Sequence, residues 1–367
     1  MKDIEAFRYQ LAFSLMPGMK CSVAKELFAR YDSIDAVFRD GNILRKIAGK
    51  HKEVLPKKAL EMADNEIMFM NKNNVFAYYY FDEDYPVRLK QCEDAPLVLY
   101  CKGNLHPDGE RMVAVVGTRK STEYGRSFCD SLMSDMADSG GYTVVSGLAY
   151  GIDVASHRAC LKYNIPTIGV LGHPLDMIYP AVHRSVAKKM QENGGLVSEF
   201  PTGSEIGRWT FVSRNRIIAG LADATVVVES ASKGGSLITA GLANSYNRDV
   251  FALPGKNNDF FSEGCNRLIR DNKAALIEDL NDLERFMCWD KKDVSKDAVQ
   301  KDLFITFTPE EEKIHCVLSD KKLYIDDICN IVGFPVSRVS AILLDLEFKG
   351  VVISLPGKVY QWNELRG

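Results

Sequence analysis

The nine cysteines, scattered from Cys21 to Cys329, are odd in number and include no Cys-x-x-Cys pair. The six histidines form no His-Glu-x-x-His. Those absences exclude the usual zinc spacings and a disulfide framework. Residues Met1 to Gln10 are charged and hold no apolar run of signal-peptide length. No stretch reaches the roughly 20 apolar residues that span a bilayer, so a cytoplasmic, membrane-free protein is expected. There is no internal repeat and no low-complexity tract. An excess of positive charge is also missing: 46 Lys and Arg stand against 49 Asp and Glu, a formal net charge of −3. A polyanion would have to be held by a local patch, because its binding responds to charges within about one Debye length, roughly 8 Å at physiological salt.

What is present is a folded composition, 46% hydrophobic and 26% charged, over 367 residues, a length that favours two or three domains. Residues 1–72 have helical periodicity, with a break at Met16-Pro17-Gly18 and an apolar face of Val23, Leu27 and Phe28 on the second helix. Residues 41–60 carry six Lys and Arg against the single acid Glu53. Such a helix-turn-helix can sit on a DNA backbone or serve as a packing domain with a solvated basic face.

From 73 to 290 short β-rich runs alternate with helices. Val113–Val116, Thr143–Val145, Thr167–Leu171, Leu196–Ser198, Thr225–Val228 and Val250–Leu253 read as buried parallel strands. Val75–Phe81 and Leu97–Tyr100 add strands at the front edge. The fold class is α/β, an extended Rossmann-like, doubly wound and mostly parallel sheet. Residues 291–304 are charged and read as a linker. Residues 305–367 follow the order helix, helix, helix, hairpin, a winged-helix pattern, with Val336, Val339, Leu343 and Leu346 on the inner face of the third helix and Leu355-Pro356-Gly357-Lys358 turning the hairpin.

Five glycine-containing turns follow strands and are candidate anion sites. In VVGTRKSTEYG, Gly117 and Thr118 end a strand just before a helix, and Arg119 adds a planar fork suited to phosphate. Gly-x-Gly-x-x-Gly is absent there, which argues against a dinucleotide cofactor, and no cofactor is expected. In VVSGLAYGIDVASH, Ser146 and Gly147 allow close ligand approach, with Asp153 expected to cap the helix and His157 to pack. In GVLGHPLDMIYP, Pro174 removes one amide, while Asp176 and Tyr179 can line the cleft. His173 and His183 have no nucleophile or metal set beside them in sequence. In RWTFVSRNRIIAG, Arg208, Arg214 and Arg216 form a positive patch with Trp209, Phe211 and Asn215, and no acid intervenes between Ile206 and Ala222. Arginine beside an exposed aromatic suits a single strand, neutralising phosphates and stacking a base. The competing expectation is a core Trp209 and an Arg216 paired with Glu199 or Glu229. In KGGSLITAG, Lys233, Gly234, Gly235 and Ser236 form a nest before a helix. All five turns fall at the carboxyl ends of strands, and a row of anion sites fits a polymer of phosphates better than one small molecule.

These motifs, VVGTR, SGLAYGIDVASH, SRNRIIAGLADATVVVES, KGGSLITA and FALPG, resemble in order and spacing those of the DprA, or Smf, proteins from about Tyr85 to Arg270. The resemblance implies an N-terminal SAM-like or helix-hairpin-helix domain and a C-terminal winged-helix domain. It further implies a non-enzymatic protein that binds and protects single-stranded DNA and helps load RecA in transformation, as a homodimer through the Rossmann-like domain. By motif, Arg119 corresponds to the family's DNA-contacting arginine, Arg208 and Phe211 to its basic-x-x-Phe element, and Arg214-Asn215-Arg216 to its Arg-Asn-Arg. Two departures are Phe211-Val212-Ser213 before Arg214, and Gly172-His173-Pro174 where a glycine-richer turn is usual.

Two other readings compete. A nucleotide hydrolase of the lysine-decarboxylase-like type would place a glutamate soon after Gly234-Gly235, and none follows through Gly241. A winged-helix transcription regulator would need basic or amide side chains on its reading helix, where Arg338 and Lys349 share space with Asp345 and Glu347.

Overall fold

A computed structural model of the chain describes residues 4–16, 18–31, 33–40, 56–289, 307–318, 321–349, 351–355 and 359–362. The basic run 41–55, the linker 291–304 and the turn residues 356–358 lie outside the described residues. The chain divides into two compact units, residues 1–290 and 291–367.

In the first unit nine strands form one sheet: β1 (Val75–Tyr79), β2 (Val98–Gly103), β3 (Arg111–Val116), β4 (Tyr142–Ser146), β5 (Thr167–Leu171), β6 (Gly194–Ser198), β7 (Ala224–Val227), β8 (Asp249–Ala252) and β9 (Ala275–Leu276). Their order is β1-β2-β6-β5-β4-β3-β7-β8-β9. From β6 through β9 every pairing is parallel, and β2 runs antiparallel to both β1 and β6. The expected six parallel strands and front-edge pair are all present; the two-residue β9 was too short to leave a pattern in the sequence.

Each central strand is buried along its length because helices cover both sheet faces. Successive residues of β3 enter different cores. Met112, Ala114 and Val116 join the cluster that holds the N-terminal helices Ile4–Ser14 and Cys21–Phe28. Val113 and Val115 join Phe128, Leu132, Met133 and Met136 of the helix Glu123–Ser139 and Leu283 of the helix Leu280–Phe286. The N-terminal helices thus share a hydrophobic core with one face of the sheet. Among the described residues no single helix is long and apolar enough to cross a membrane.

The second unit is a winged helix: helices Pro309–Leu318, Ile325–Val332 and Val336–Phe348, then the strands Val352–Leu355 and Val359–Trp362, with the short strand Leu323–Tyr324 added to the hairpin. Val339, Leu343 and Leu346 are fully buried as expected, but Val336 is 49% exposed. Ile342, not Val336, is the fourth core residue of that helix.

Candidate nucleic-acid interface

β3 lies between β4 and β7, so the chain winds outward in opposite directions from it, and the carboxyl ends of the parallel strands share one edge. That edge is where open α/β sheets bind ligands. The turns after β3, β4 and β5 converge there with the helix Arg208–Ser213 around a small pocket of about 50 Å³, lined by Arg119, Leu148, Tyr150, Tyr179, Phe211 and Arg214 among others.

Arg214 forms the floor. It is only 5% exposed, its Nη1 donates to the Val170 carbonyl oxygen, and its Nε has no partner. A guanidinium carries five donors and stays charged, so burial with Nη1 bonded and Nε unpaired leaves this one under-compensated at the pocket floor. Burial pulls its pKa down, and Asp153 pulls the other way. Asp153 is itself buried; burial pushes its carboxyl up, against the pull of Arg214 and of the Ala149 amide. It accepts from the Ala149 amide at 3.3 Å in the loop behind it, so the expected helix cap is instead a counter-charge behind Arg214. Gly147 makes this packing possible: a Cβ there would stand 2.6 Å from Arg214 Nη1 and against the Asp153 carboxylate.

Phe211 is half-buried and forms a wall of the pocket, its ring centroid 5.6 Å from Tyr179. It lies over Gly172, where a Cβ would meet Phe211 Cδ1 at 2.8 Å. Tyr150 and Tyr179 are about half exposed. Arg119 is exposed at the rim, and Arg208, one helical turn before Phe211, is exposed as well. Trp209 is 63% exposed, packed edge-on against Phe200, and is therefore not a core residue.

Other expected ligand groups are already engaged within the chain. Arg216 is ion-paired with Glu199 and bonds the Asp94 carbonyl, the pairing anticipated as the alternative. Ser146 is fully buried and donates to Val115 O at 2.6 Å, tying β4 to β3. At the turn of Gly117 and Thr118 the Thr118 amide is already engaged: it donates to Glu229 O at 2.7 Å. The N-terminus of the helix Glu123–Ser139 is filled by the chain's own anion, since Thr122 donates both N–H and Oγ1–H to the buried Glu229 carboxylate. Of the expected contributions from VVGTR, the Arg119 side chain is what remains. Gly234 N is bound to Ala231 O and Ser236 Oγ donates to Ser230 Oγ, while Lys233 is exposed and Gly235 has open space around it. The Lys233–Ser236 turn follows β7, on the other side of β3 from the pocket, and none of its residues lines that pocket. Asn215 is half-buried at the start of the helix Asn215–Leu221.

Three buried histidines hold the pocket loops. His157 Nε2 lies 2.5 Å from Gly147 O and its Nδ1 2.7 Å from Thr167 Oγ1. A carbonyl can only accept, so Nε2 carries a proton. Burial drives its pKa down to about 4. His183 Nδ1 donates to Leu148 O at 2.9 Å, and His173 accepts from Tyr179 N at 3.2 Å. These roles are architectural. Sequence reasoning missed Tyr150 as a wall and Glu229 as an internal anion; Tyr150 sits inside the quoted SGLAYGID run, whereas nothing local distinguishes Glu229.

In the second unit, Arg338 donates through Nε and Nη2 to Glu310, and Lys349 is bound to Glu311. Arg338 on the third helix and Lys349 just after it each have a carboxylate partner.

Residues 76–287 match the family model described as DNA recombination-mediator protein A, and residues 300–358 that of the DprA winged helix domain. The chain is 33% identical to Protein Smf of Escherichia coli over 97% of this chain and 95% of that one, and 31% identical to Protein Smf of Synechocystis over 96% and 98%. Among solved structures, the DNA processing protein A of Streptococcus pneumoniae superposes with a TM-score of 0.63 at 30% identity, covering 78% of this chain and 98% of that one. DNA processing protein A of Helicobacter pylori, whose structure was described for its single-stranded DNA binding mode, gives a TM-score of 0.53 at 28% identity, covering 59% and 96%.

Proposed function

The chain belongs to the DNA recombination-mediator protein A family, and we propose that it binds single-stranded DNA along the carboxyl ends of its parallel strands and helps load RecA onto it. In this reading it acts in the cytoplasm as a homodimer, without catalysing a reaction. In the same reading residues 1–72 and 73–290 act as helical and Rossmann-like parts of the first unit, and 291–304 links them to the winged helix of 305–367. The observation that carries the reading is Arg214: a buried guanidinium whose Nε has no partner, lining a pocket with the exposed Arg119 and a wall of Phe211, Tyr150 and Tyr179. Phosphate on the arginines and a base against the rings is the pairing that single strands require. The binding described for the Helicobacter pylori relative supports it.

The contacting residues we assign are Arg119, Arg208, Phe211 and Arg214, with the exposed Lys233 and Gly235 as a further contact beyond β7, in a turn held by Gly234 and Ser236. Gly117, Thr118, Ser146, Gly147, Asn215 and Arg216 shape the site from behind. The test is fluorescence anisotropy with labelled single-stranded and duplex oligonucleotides across a salt series. Arg119→Ala is expected to weaken single-strand binding by about 1.5–3 kcal/mol, the worth of a hydrogen bond to a charged group. Duplex preference, or single-strand affinity unchanged by Arg119→Ala and Phe211→Ala, refutes it. RecA filament assembly on single strands, followed with and without the protein, tests the loading step; no acceleration refutes that step alone.

A further inference from the structure

Beyond the strand-end pocket, the first unit carries a second positive surface that no motif singled out. The helices Ile152–Lys162 and Arg184–Met190 flank an open groove of about 760 Å³ lined by Arg158, Ser185, Lys189, Glu192 and Asn193 among others. Arg158, Arg184, Lys188 and Lys189 are all exposed, and none forms an ion pair among the described residues, whereas Lys162 alongside is bound to Asp130. From Met177 to Gln191 the sequence has three cations and no acid. Arg184 and Lys188 stand four residues apart on one helix face, about 6 Å along the axis. In a chain of net charge −3, such a concentration of unpaired cations is a local field and not a general property.

The start of the helix Arg184–Met190, whose Lys189 lines the groove, is tied to the pocket by direct contacts. Tyr150 and Leu148 line the pocket; the Tyr150 ring packs 5.1 Å from His183, and His183 donates to Leu148 O at 2.9 Å. Arg184 is the next residue after His183 and begins the cation-bearing helix. Arg184 therefore follows directly on a residue packed against the pocket wall, and Lys188 and Lys189 continue along the helix towards the groove that Lys189 and Arg158 line.

We propose that this groove is a phosphodiester track, a second binding surface onto which a single strand seated at Arg119 and Arg214 continues. The inference rests on the strand-end reading and adds the path of the strand. The ligand contributes only its backbone here, so the track has no base preference, and its contribution is the release of counterions from phosphates.

The experiment uses the full chain and the triple variant Arg158→Ala, Lys188→Ala, Lys189→Ala; all three side chains are exposed, so the fold is retained. Salt titrations are run with oligothymidylates of about 4 and about 16 nucleotides, the range of single-strand site sizes. With the long oligomer, losing three phosphate contacts lowers the slope of log Kobs against log salt by about 2, at roughly 0.7 per contact. The short oligomer, filling only the pocket, binds the variant as it binds the wild type. An unchanged slope with the long oligomer overturns the track and leaves the cations to an acidic protein surface. An equal loss with both lengths also overturns it, because the effect is then a general change of field. A wild type that binds neither oligomer overturns the strand-end reading and the track together, while loss through Arg119→Ala alone retains the first and refutes the second.

Discussion

Replacing Gly147 by alanine tests the floor of the pocket without removing any functional atom. A Cβ at this position would stand 2.6 Å from Arg214 Nη1 and 2.8 Å from Nη2, well inside van der Waals contact. No positive φ is involved, so the backbone accepts alanine and the effect is confined to what the methyl group displaces. The Asp153 carboxylate, nearest of all, and the guanidinium are both flexible side-chain ends and must move, the guanidinium breaking its bond to Val170 O. That bond is charge-assisted and worth about 1.5–3 kcal/mol. A stability loss on the order of 2 kcal/mol corresponds to a fall in Tm of roughly 4–8 °C for a unit of this size. The displaced arginine no longer faces an incoming phosphate, so single-strand affinity falls by about tenfold or more, or about 1.4 kcal/mol. Thermal unfolding and anisotropy on the same samples read both effects. Gly241→Ala is the control: nothing lies within 4 Å of its Cβ position and it sits inside the helix Ser236–Ser245, so stability is unchanged or slightly raised. A Gly147→Ala protein that is destabilised yet binds single strands as tightly as the wild type would show that Arg214 is a structural arginine and refute the reasoning.

Three further outcomes follow from the same contacts. His157 is neutral in the folded state with its pKa lowered to about 4, while the unfolded chain titrates near 6.5, so protons bind the unfolded state preferentially below that value. Stability is complete above about pH 6.5 and falls by about 3 kcal/mol as pH drops towards 4, with His173, also lowered by burial, acting in the same direction; denaturant titrations that are flat between pH 7 and 5 would contradict this. Glu199→Gln, which breaks the pair with Arg216, is expected to cost about 3 kcal/mol of stability while DNA affinity below the melting range stays unchanged. Phe211→Ala is expected to lose about 1–3 kcal/mol of single-strand affinity, by a similar factor for different homopolymers, because stacking is tolerant of base identity; a loss confined to one base would point to hydrogen-bonded readout instead.

Much of the architecture was legible before any coordinates. The parallel strands announced themselves as apolar runs because sheets covered on both faces bury every residue, as β4, β5 and β6 do. The winged-helix order was readable from helical spacing, yet Val336 was assigned to a core that it does not enter. Periodicity gives the face of a helix and says nothing about where the neighbouring core stops. The departures at Ser213 and Pro174 left the site intact, since the floor is made by a side chain and not by a nest of amides.

Sequence alone determined which residue types stand at the ends of the strands, because a strand followed by glycine and then a helix is a local pattern. Whether each such group is available to a ligand depended on partners far away in the chain. Glu229 fills the helix end at Thr122, 107 residues distant, and Glu199 holds Arg216, whereas Arg214, two residues earlier, lines the pocket with its Nε unpaired. Three arginines that read alike in sequence thus have three fates: Arg208 in solvent, Arg214 in the floor, Arg216 in an ion pair. The tertiary structure decides between them because a charge is spent or free according to what packing brings within a few ångströms, and that proximity is not encoded in spacing along the chain.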